Sequence, residues 1–400
     1  MAPGPRPSVE EAAASGNPPE PTVIEASPRP FRPTVARVDL AAVATNFHLL
    51  RTVAAPSEIC AVVKANAYGH GVGPVARRLE AEGCRRFAVG TVDEGQELRA
   101  AGVGGEVWLL QGAPTGGVPL LRDLRLTPVI SGLDALEALG ERVGRDGGSL
   151  AVHLKFDTGM GRLGLAVGEV GEAAESLRRH PGLRLEGVAT HFARAGESAA
   201  VTREQIRLFD NVRSALRSLG LEPPVVHAAN SAACLTEPSA RYTCVRLGIA
   251  LYGVTPEPSL ENAVALRPAL SWVTEVEHVR EVSAGTPVSY GGTFVTGRPT
   301  RLAVIPVGYA DGYRRALGNR GMVLVQGQPA PVVGRVCMDL AVVDVTDVDA
   351  VSEGDEVVLL GAQGSNEISA GRMAAWLDTI PYEVLCAIGP RVPRVCEDGR

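Results

Sequence analysis

Only two of the 39 basic residues in this 400-residue chain are lysines, Lys64 and Lys155, and both follow short apolar runs. Arginine replaces lysine in most surface roles, but its permanently charged guanidinium cannot serve as an amine nucleophile. An amine at the end of a buried strand loses hydration, which lowers its pKa and frees its lone pair. The pattern favours amine chemistry at both positions. Codon bias, a lysine snorkelling at a strand end, or an ion pair between Lys155 and Asp157 would also explain it.

Three further polar residues end apolar runs in the same part of the chain: His191, Ser231 and Arg246. A lone histidine is more often structural than catalytic, and Arg246 taken alone is one surface arginine among many. If the runs are parallel strands of one barrel, however, their carboxyl ends meet at the face where barrel active sites lie. The sequence then predicts that these side chains gather around the two lysines.

Short apolar runs alternate with amphipathic, helix-like stretches through the first two thirds of the chain. Eight runs are found, at 59–64, 87–91, 107–111, 126–130, 150–156, 185–191, 225–228 and 244–248. Runs this short, separated by helices, are typical of parallel strands buried on both faces. Eight of them favour a (β/α)8 TIM barrel over an open doubly wound sheet, and no GxGxxG motif follows the first run.

The change in pattern along the chain predicts three regions. Residues 1–33 hold nine of the 29 prolines and are expected to be a disordered tail. Residues 34–266 should form the barrel, and residues 267–400 a mostly β C-terminal domain with one helix at 368–377. The strands expected in that domain are 272–282, 302–307, 322–325, 332–336, 340–345 and 356–360.

Composition excludes several classes of protein. The net charge of -6 gives no support to nucleic-acid binding, and no apolar window is long enough for a transmembrane helix. The N-terminus lacks a basic region followed by an apolar core, so a secretory signal is not expected. The seven cysteines are scattered without CxxC spacing. This indicates reduced cytoplasmic thiols, and neither a metal site nor a disulfide framework.

The chain resembles the alanine racemases from about residue 35 to residue 396. The segment 61–71 reads AVVKANAYGHG and is similar to the family's attachment site for pyridoxal 5'-phosphate (PLP), and the segment 153–164 reads HLKFDTGMGRLG. The resemblance implies a barrel followed by a β domain, with Lys64 bonded covalently to PLP. It places Tyr68, Ser231, Gly248, Ile249 and Tyr382 at the phosphate, Arg246 at the pyridine nitrogen, His191 beside the ring, and Arg162 at the phenolic oxygen and the substrate carboxylate.

The same resemblance makes Lys155 a possible carbamylated lysine. A carbamate turns the lysine cation into an anion. This anion would position Arg162, and an arginine in place of Lys155 could not form it. The sequence does not decide whether the modification is present.

A second set of implied site residues comes from the β domain. Racemisation needs two proton-transferring groups, one on each face of the planar intermediate, and Lys64 and Tyr290 meet that need. In the family this tyrosine belongs to the partner subunit, so the resemblance implies a homodimer with composite active sites. Met338 and Asp339 would contact the substrate carboxylate from the same partner, while Tyr309 and Tyr382 would narrow the entrance.

The resemblance therefore implies a PLP-dependent, two-base interconversion of L- and D-alanine in the cytoplasm, supplying D-alanine for peptidoglycan. Arg246 favours this chemistry, because a permanent charge at the pyridine nitrogen makes the cofactor a weaker electron sink. Three alternatives stay open. They are a racemase for serine or several amino acids, a PLP decarboxylase, which should carry an acidic residue at 246, and a non-catalytic PLP carrier, which has the barrel alone.

Overall fold

The computed structural model describes residues 31–112, 117–261 and 263–398. Most of the segment expected to be a disordered tail, 1–33, lies outside these residues. In the part of the chain that is described, no helix is both long enough and apolar enough to cross a membrane.

Within the described residues, eight parallel strands close into a barrel. In chain order they are Glu58–Val62, Arg86–Val89, Glu106–Leu109, Leu126–Ile130, Leu150–Asp157, Leu183–Ala189, Val225–His227 and Cys244–Leu247. Each strand pairs with the next, and the eighth also pairs with the first, where Arg246 lies opposite Cys60. Their residues are mostly buried, as in a parallel sheet covered by helices. The predicted (β/α)8 barrel is confirmed.

Helices connect the barrel strands and cover the outside of the barrel. Their bounds are Leu40–Ala54, Val72–Ala81, Val92–Ala100, Val118–Asp123, Leu133–Asp146, Val170–Arg179, Ala199–Ser218 and Ser231–Thr236. The longest, Ala199–Ser218, buries Phe209 and Leu216 among other residues at helical spacing. Ser198 caps its first turn by accepting a hydrogen bond from the amide of Val201.

The C-terminal part of the chain forms β-sheets, as predicted. The largest contains Val35–Asp39, Leu270–Glu275, Met322–Val325, Gln328–Pro331, Glu356–Gln363, Asn366–Ile368 and Arg394–Glu397. Another joins His278–Val282, Thr300–Ile305 and Ala341–Asp344, and Pro287–Val288 pairs with Phe294–Val295. Two helices, Ala370–Leu377 and Pro381–Cys386, complete this region.

The strand Val35–Asp39 precedes the barrel in sequence but belongs to the largest of these sheets. It pairs antiparallel with Leu270–Glu275 and parallel with Arg394–Glu397. Its last residue, Asp39, caps the helix Leu40–Ala54 by accepting a hydrogen bond of 2.9 Å from an amide of the first turn. The strand therefore links the start of the barrel to the β-rich region.

Several elements of the β-rich region differ from the prediction. The expected strand 272–282 is two strands in different sheets, Leu270–Glu275 and His278–Val282, and strands such as Gln328–Pro331 and Arg394–Glu397 were not expected. The expected strand 332–336 is not formed, because Val332 makes only an isolated bridge and Gly334 turns with φ 74°. A Cβ at Gly334 would lie 2.7 Å from the carbonyl oxygen of Val288, so only glycine allows this bend. The helix Pro381–Cys386 was not expected, since six residues are too few to show a helical period.

Candidate active site

Lys64 follows the first barrel strand, Glu58–Val62, and opens a left-handed turn. The next four residues, 65–68, all have φ between 52° and 54°. This conformation costs roughly 1–2 kcal/mol for each residue that carries a Cβ. Four such residues in succession make a strained segment, which the surrounding contacts must hold in place.

Glu94, from the helix after the second barrel strand, holds this turn. Its carboxylate accepts hydrogen bonds from the amide of Ala65 at 2.7 Å and from the amide of Gly90 at 2.6 Å. The turn ends at Gly69, where φ is 84° and a Cβ would lie 2.4 Å from the carbonyl oxygen of Leu385. The backbone on both sides of the turn is thus constrained, and so is the point from which the Lys64 side chain extends.

A cavity of ≈ 670 Å³ opens at the carboxyl ends of the barrel strands. Its lining includes Lys64, Tyr68, Lys155, Arg162, His191, Ser231, Arg246, Gly248, Ile249 and Tyr382. The structure therefore brings together every residue that the sequence placed at the barrel mouth. A larger cavity, of ≈ 950 Å³, lies at the opposite end of the barrel and contains none of them. We place the candidate active site in the first cavity.

The two lysines share one electrostatic environment. Burial lowers the pKa of Lys155 to about 8, helped by the charges of Arg246 and Arg162. Burial and the charge of Arg162 also lower the pKa of Lys64. The carboxylate of Asp157 accepts hydrogen bonds of 2.7 to 2.9 Å from the amides of residues 159–161. Asp157 therefore shapes the loop that carries Arg162.

Arg246 is a buried guanidinium at the centre of the site. It donates hydrogen bonds of 2.8 to 3.1 Å to the carbonyl oxygens of Thr190, His227 and Ala228. It also donates to Nδ1 of His227 at 2.8 Å and to Nδ1 of His191 at 3.1 Å. With 6% of its surface exposed, Arg246 is not the surface arginine that its sequence position alone allowed.

These contacts determine the protonation of His191 and His227. A guanidinium only donates, so both Nδ1 atoms accept and both rings carry their proton on Nε2. Burial and the charge of Arg246 hold the pKa of both histidines well below its ordinary value. Both rings are therefore neutral at neutral pH, and His191 lines the cavity with Nε2–H as its donor.

The hydrogen-bond chain continues to a third histidine. Nε2 of His227 lies 2.8 Å from Nδ1 of His153 and donates to it, and the indole of Trp108 packs against both rings at centroid distances of 4.6 and 4.7 Å. Gly187 leaves the necessary space, because a Cβ there would lie 2.6 Å from Nδ1 of His153. Burial lowers the pKa of His153 to about 3, so this ring is neutral as well. The network supports Arg246 from inside the barrel.

The loops after the seventh and eighth barrel strands form one end of the cavity. The amide of Gly248 donates to Oγ of Ser231 at 3.1 Å. A Cβ at Gly248 would lie 2.4 Å from the hydroxyl oxygen of Tyr68, so only glycine lets this hydroxyl pack against the loop. Backbone at Gly248 and Ile249 and the hydroxyls of Ser231 and Tyr68 thus line this end. Such donors suit a phosphate group.

Three tyrosine rings pack together at the same end of the cavity. The ring of Tyr68 lies 5.1 Å from that of Tyr252 and 6.0 Å from that of Tyr382, between centroids. Burial raises the pKa of Tyr382 to about 12 and raises that of Tyr68 above its ordinary value. Both hydroxyls therefore stay protonated and can donate hydrogen bonds.

The site residues predicted from the β-rich region lie apart from this cavity. Tyr290, Tyr309, Met338 and Asp339 do not line it, and all four are exposed, Tyr290 to 72%. We call these four residues the tyrosine face. The structure brings them to the surface of the same chain and not to the barrel mouth.

Backbone hydrogen bonds hold the tyrosine face together. The amide of Tyr309 donates to the carbonyl oxygen of Cys337 at 3.0 Å, and the amide of the next residue donates to that of Met338 at 3.1 Å. Ser289, which precedes Tyr290, donates from Oγ to the carbonyl oxygen of Arg335 at 2.7 Å. The loops that carry the two tyrosines are therefore both anchored to the segment 335–338.

Two family models match the chain over most of its length. The model "Alanine racemase, N-terminal domain" matches residues 38–256, and "Alanine racemase, C-terminal domain" matches residues 269–396. The chain belongs to the alanine racemase family. It is accordingly an amino-acid racemase.

Individual relatives agree with this assignment. An alanine racemase of Carboxydothermus hydrogenoformans is 44% identical over 367 residues, which cover 91% of this chain and 100% of that one. An alanine racemase structure from Bacillus anthracis with bound L-Ala-P is 35% identical, with a TM-score of 0.87, covering 92% of this chain and 96% of that one. One from Bartonella henselae with covalently bound pyridoxal phosphate is 30% identical, with a TM-score of 0.83, covering 92% and 100%.

Several residues that shape the site were not recognised from the sequence. They are Glu94, His153, His227 and Gln205, and Asp157 was considered only as an ion-pair partner of Lys155. Gln205 holds the His191 loop, because its Oε1 accepts from the amide of Ala193 at 2.9 Å and its Nε2 donates to the His191 carbonyl oxygen at 3.2 Å. A signal existed for the two histidines, since each falls within an apolar run that forms a barrel strand. Nothing local marked Glu94 or Gln205.

Proposed function

We propose that this enzyme racemises alanine by a two-base mechanism, with PLP bound in the cavity at the barrel mouth. Lys64 and Tyr290 are the two bases, and they come from different subunits of a homodimer. The observation that carries the proposal is the convergence of Lys64, Arg246 and neutral His191 on one cavity beside an amide-lined cradle. A structural role for these residues would not require a strained turn at Lys64.

The residues present fit PLP. Gly248 lets the Tyr68 hydroxyl pack against the backbone, and these two residues line the cavity beside Ser231 and Ile249, a set of backbone and hydroxyl groups that suits the phosphate. Lys64 supplies the amine for the covalent bond, and Arg246 supplies a permanent positive charge for the pyridine nitrogen. When bound, PLP provides an electron sink for the pair of electrons left on Cα after proton removal. The covalently bound cofactor of the Bartonella henselae relative supports this assignment.

Lys64 acts as one base through its Nζ, once the amino group of the substrate has replaced this amine in the covalent bond. Burial and the charge of Arg162 lower the pKa of this amine, so a larger fraction is neutral and able to take the Cα proton. The strained turn and the Glu94 contact hold the amine on one side of the cavity. A base held on one side can exchange a proton with only one face of the substrate.

Tyr290 of the partner subunit acts on the opposite face. Its exposure of 72% and its place outside its own chain's cavity support a role in the barrel mouth of another subunit. We propose that His191, with its proton on Nε2, donates to the oxygen of this tyrosine. Because Arg246 donates to its Nδ1 and so occupies its basic lone pair, His191 orients the phenolic oxygen without competing for the Cα proton.

Lys155 is proposed to carry a carbamate. A pKa of about 8 leaves a substantial fraction of the amine neutral near physiological pH, and the neutral amine is the form that adds carbon dioxide with loss of one proton. The resulting anion would face Arg162 and Arg246, whose charges disfavour an ammonium ion there. A carbamate would hold Arg162 in place for the phenolic oxygen and the substrate carboxylate.

The rest of the tyrosine face is proposed to bind the substrate of the partner subunit. Met338 and Asp339 contact its carboxylate end, and Tyr309 narrows the entrance together with Tyr382 of the barrel subunit. A narrow entrance favours alanine, although one methylene changes specificity by only about 1–3 kcal/mol. The bound L-Ala-P of the Bacillus anthracis relative supports an alanine-sized substrate. We propose that the product D-alanine supplies peptidoglycan synthesis in the cytoplasm.

The direct test is to purify the enzyme with PLP, record its visible absorbance, and follow conversion of L-alanine to D-alanine. Cofactor absorbance together with L-to-D conversion is the expected result. A substrate panel that includes serine separates an alanine racemase from one of broad specificity. Release of carbon dioxide would instead indicate a decarboxylase, and cofactor binding without any turnover would indicate a carrier.

A further inference from the structure

An arginine outside both family-matched ranges is anchored beneath the tyrosine face. The guanidinium of Arg32 forms a two-pronged contact with Asp311, donating to Oδ1 at 2.6 Å and to Oδ2 at 2.7 Å. It also donates to the carbonyl oxygen of Pro306 at 2.5 Å. Thr34 donates to the same carbonyl oxygen at 2.7 Å. The chain from 32 to 34 is therefore fastened to the segment 306–311.

Asp311 closes the turn that presents Tyr309. It ends the 3-10 turn Tyr309–Asp311, and its Oδ2 accepts a hydrogen bond from the amide of Gly308 at 2.9 Å. The carboxylate is completely buried, so its charge requires partners within the protein. Burial alone would raise the pKa of Asp311, but hydrogen bonds from Arg32 and the Gly308 amide lower it below its ordinary value.

The same network reaches the rest of the tyrosine face. Arg391 lies 3.5 Å from Oδ1 of Asp311 and donates to Oδ1 of Asp339 at 2.7 Å. Gly308 packs directly on the segment of Met338, since a Cβ at Gly308 would lie 2.2 Å from the Met338 carbonyl oxygen. A shift of Asp311 would therefore displace the Tyr309 turn and the Met338–Asp339 segment together.

We propose that Arg32 is a positioning residue for the active site of the partner subunit, acting through Asp311 on Tyr309, Met338 and Asp339. Arg32 touches neither substrate nor cofactor. It holds the part of the tyrosine face that contacts the substrate carboxylate and narrows the entrance. This inference rests on the proposed function, because it assumes that the tyrosine face completes a site in the other subunit.

The first experiment is the kinetics of Arg32→Gln in the full-length, PLP-loaded dimer. The expected result is a rise in KM for alanine of about tenfold with kcat changed less than about threefold, because substrate positioning is loosened while both bases remain. Arg32→Lys keeps the positive charge but loses the planar group that donates to both carboxylate oxygens of Asp311, so it should raise KM by a smaller factor. The matched control is Arg37→Gln, which removes a partly exposed ion pair with Glu356 on the strand that follows Arg32 and should leave KM unchanged.

An unchanged KM in whichever Arg32 variant gives a folded dimer would overturn the proposal. A fall in kcat by about tenfold with an unchanged KM would also overturn it, since that pattern indicates a general loss of active enzyme. The thermal midpoint of each variant is recorded beside the kinetics, because a purely structural role would lower the midpoint without raising KM.

A mixed dimer tests whether Arg32 acts across the subunit boundary. One chain carries Lys64→Ala and the other Arg32→Gln, with different purification tags. The only intact barrel then meets a tyrosine face supported by a native Arg32, so KM should return to the wild-type value. In the opposite arrangement, Lys64→Ala and Arg32→Gln lie on one chain paired with wild type, and KM should stay about tenfold raised. The reverse outcome would overturn the proposal.

A companion mixed dimer separates this proposal from the proposed function. Lys64→Ala on one chain and Tyr290→Phe on the other should restore one complete site if the sites are composite. If that dimer is inactive, the composite site itself is wrong. If it is active but the two Arg32 arrangements share one KM, only the role of Arg32 is wrong.

Discussion

The barrel mouth and the tyrosine face prepare their functional groups in opposite ways. At the barrel mouth, Arg246 is 6% exposed and connects His191, His227 and the barrel interior. On the tyrosine face, Tyr290 is 72% exposed and Met338 52%. The first region sets its protonation states within one chain, by burial and nearby charge. On the tyrosine face only the backbone is held in place within the chain, and in our account the side chains make their functional contacts in the partner subunit.

This difference predicts that substitutions at the barrel mouth affect cofactor binding as well as activity. Lys64→Ala should have the largest effect, lowering kcat/KM by at least about 10⁴-fold, since one base and the covalent anchor are lost together. The visible absorbance of bound PLP should change as well. The matched control is Arg77→Ala on the exterior helix, which should preserve both. Substantial turnover by Lys64→Ala would contradict the assignment.

Tyr290→Phe should produce the next largest effect, with the cofactor still bound. Removing one proton-transferring group costs about 10²- to 10⁴-fold in rate, and the phenyl ring keeps the packing of the face. The cofactor absorbance should match wild type, which separates this face from the barrel mouth. Loss of PLP from Tyr290→Phe would contradict our assignment of cofactor binding to the barrel mouth alone.

Arg246→Gln should lower kcat by roughly a hundredfold, a loss of the size seen when one preorganised electrostatic donor is removed. Glutamine removes the permanent charge and most of the donors that hold His191 and His227. Release of the charge should also raise the pKa of His191, so a new ionisation should enter the pH–rate profile at acid pH. The wild-type profile should show no histidine ionisation near pH 6.5. A wild-type inflection there that disappears in His191→Gln would contradict the neutral assignment.

His153→Leu should have a smaller effect, because His153 does not line the cavity and reaches Arg246 only through His227. The buried Nε2–H of His227 would lose its acceptor, which costs about 1–3 kcal/mol of unfolding free energy. Denaturant titration measures this cost, and kcat should fall only a few-fold. His48→Gln, at a more exposed ion pair with Glu82, is the control and should change neither quantity appreciably.

The smallest effect concerns the pH dependence of stability at Lys155. Its pKa is lowered from 10.5 to about 8 in the fold, so between these values the unfolded chain binds more protons. An unmodified Lys155 therefore makes the free energy of unfolding rise with pH over this range, relative to Lys155→Met. A carbamate removes this rise. Carbon-13 NMR with labelled bicarbonate at neutral pH should show the carbamate resonance, and its absence would contradict the modification.

The barrel was predictable from the sequence because its signals are local. Each apolar run, such as 126–130, indicates a strand that is buried on both faces, and eight such strands favour a closed barrel. The strand Val35–Asp39 could not be assigned to a sheet in this way, because its partners lie more than 200 residues away. Gly334 ends a predicted strand through contact with a distant carbonyl oxygen, which no local pattern records.

The candidate site was predictable where chemistry restricts residue type. Lys64 and Lys155 stood out because arginine cannot replace an amine, and the family resemblance supplied roles for the residues around them. Glu94, Gln205 and Arg32 were missed because each acts through hydrogen bonds to backbone or to a residue far along the chain. Their side chains are common on protein surfaces, and only the folded geometry distinguishes them.

The central claim, one base on each face of the substrate, is tested most directly by isotope exchange in deuterated water. Tyr290→Phe, loaded with PLP, is incubated separately with L-alanine and with D-alanine. Lys64 alone serves one face, so deuterium should enter Cα of one enantiomer much faster than racemisation occurs, with configuration retained. Equally fast exchange into both enantiomers, exchange into neither, or racemisation at the wild-type rate would contradict the two-base account.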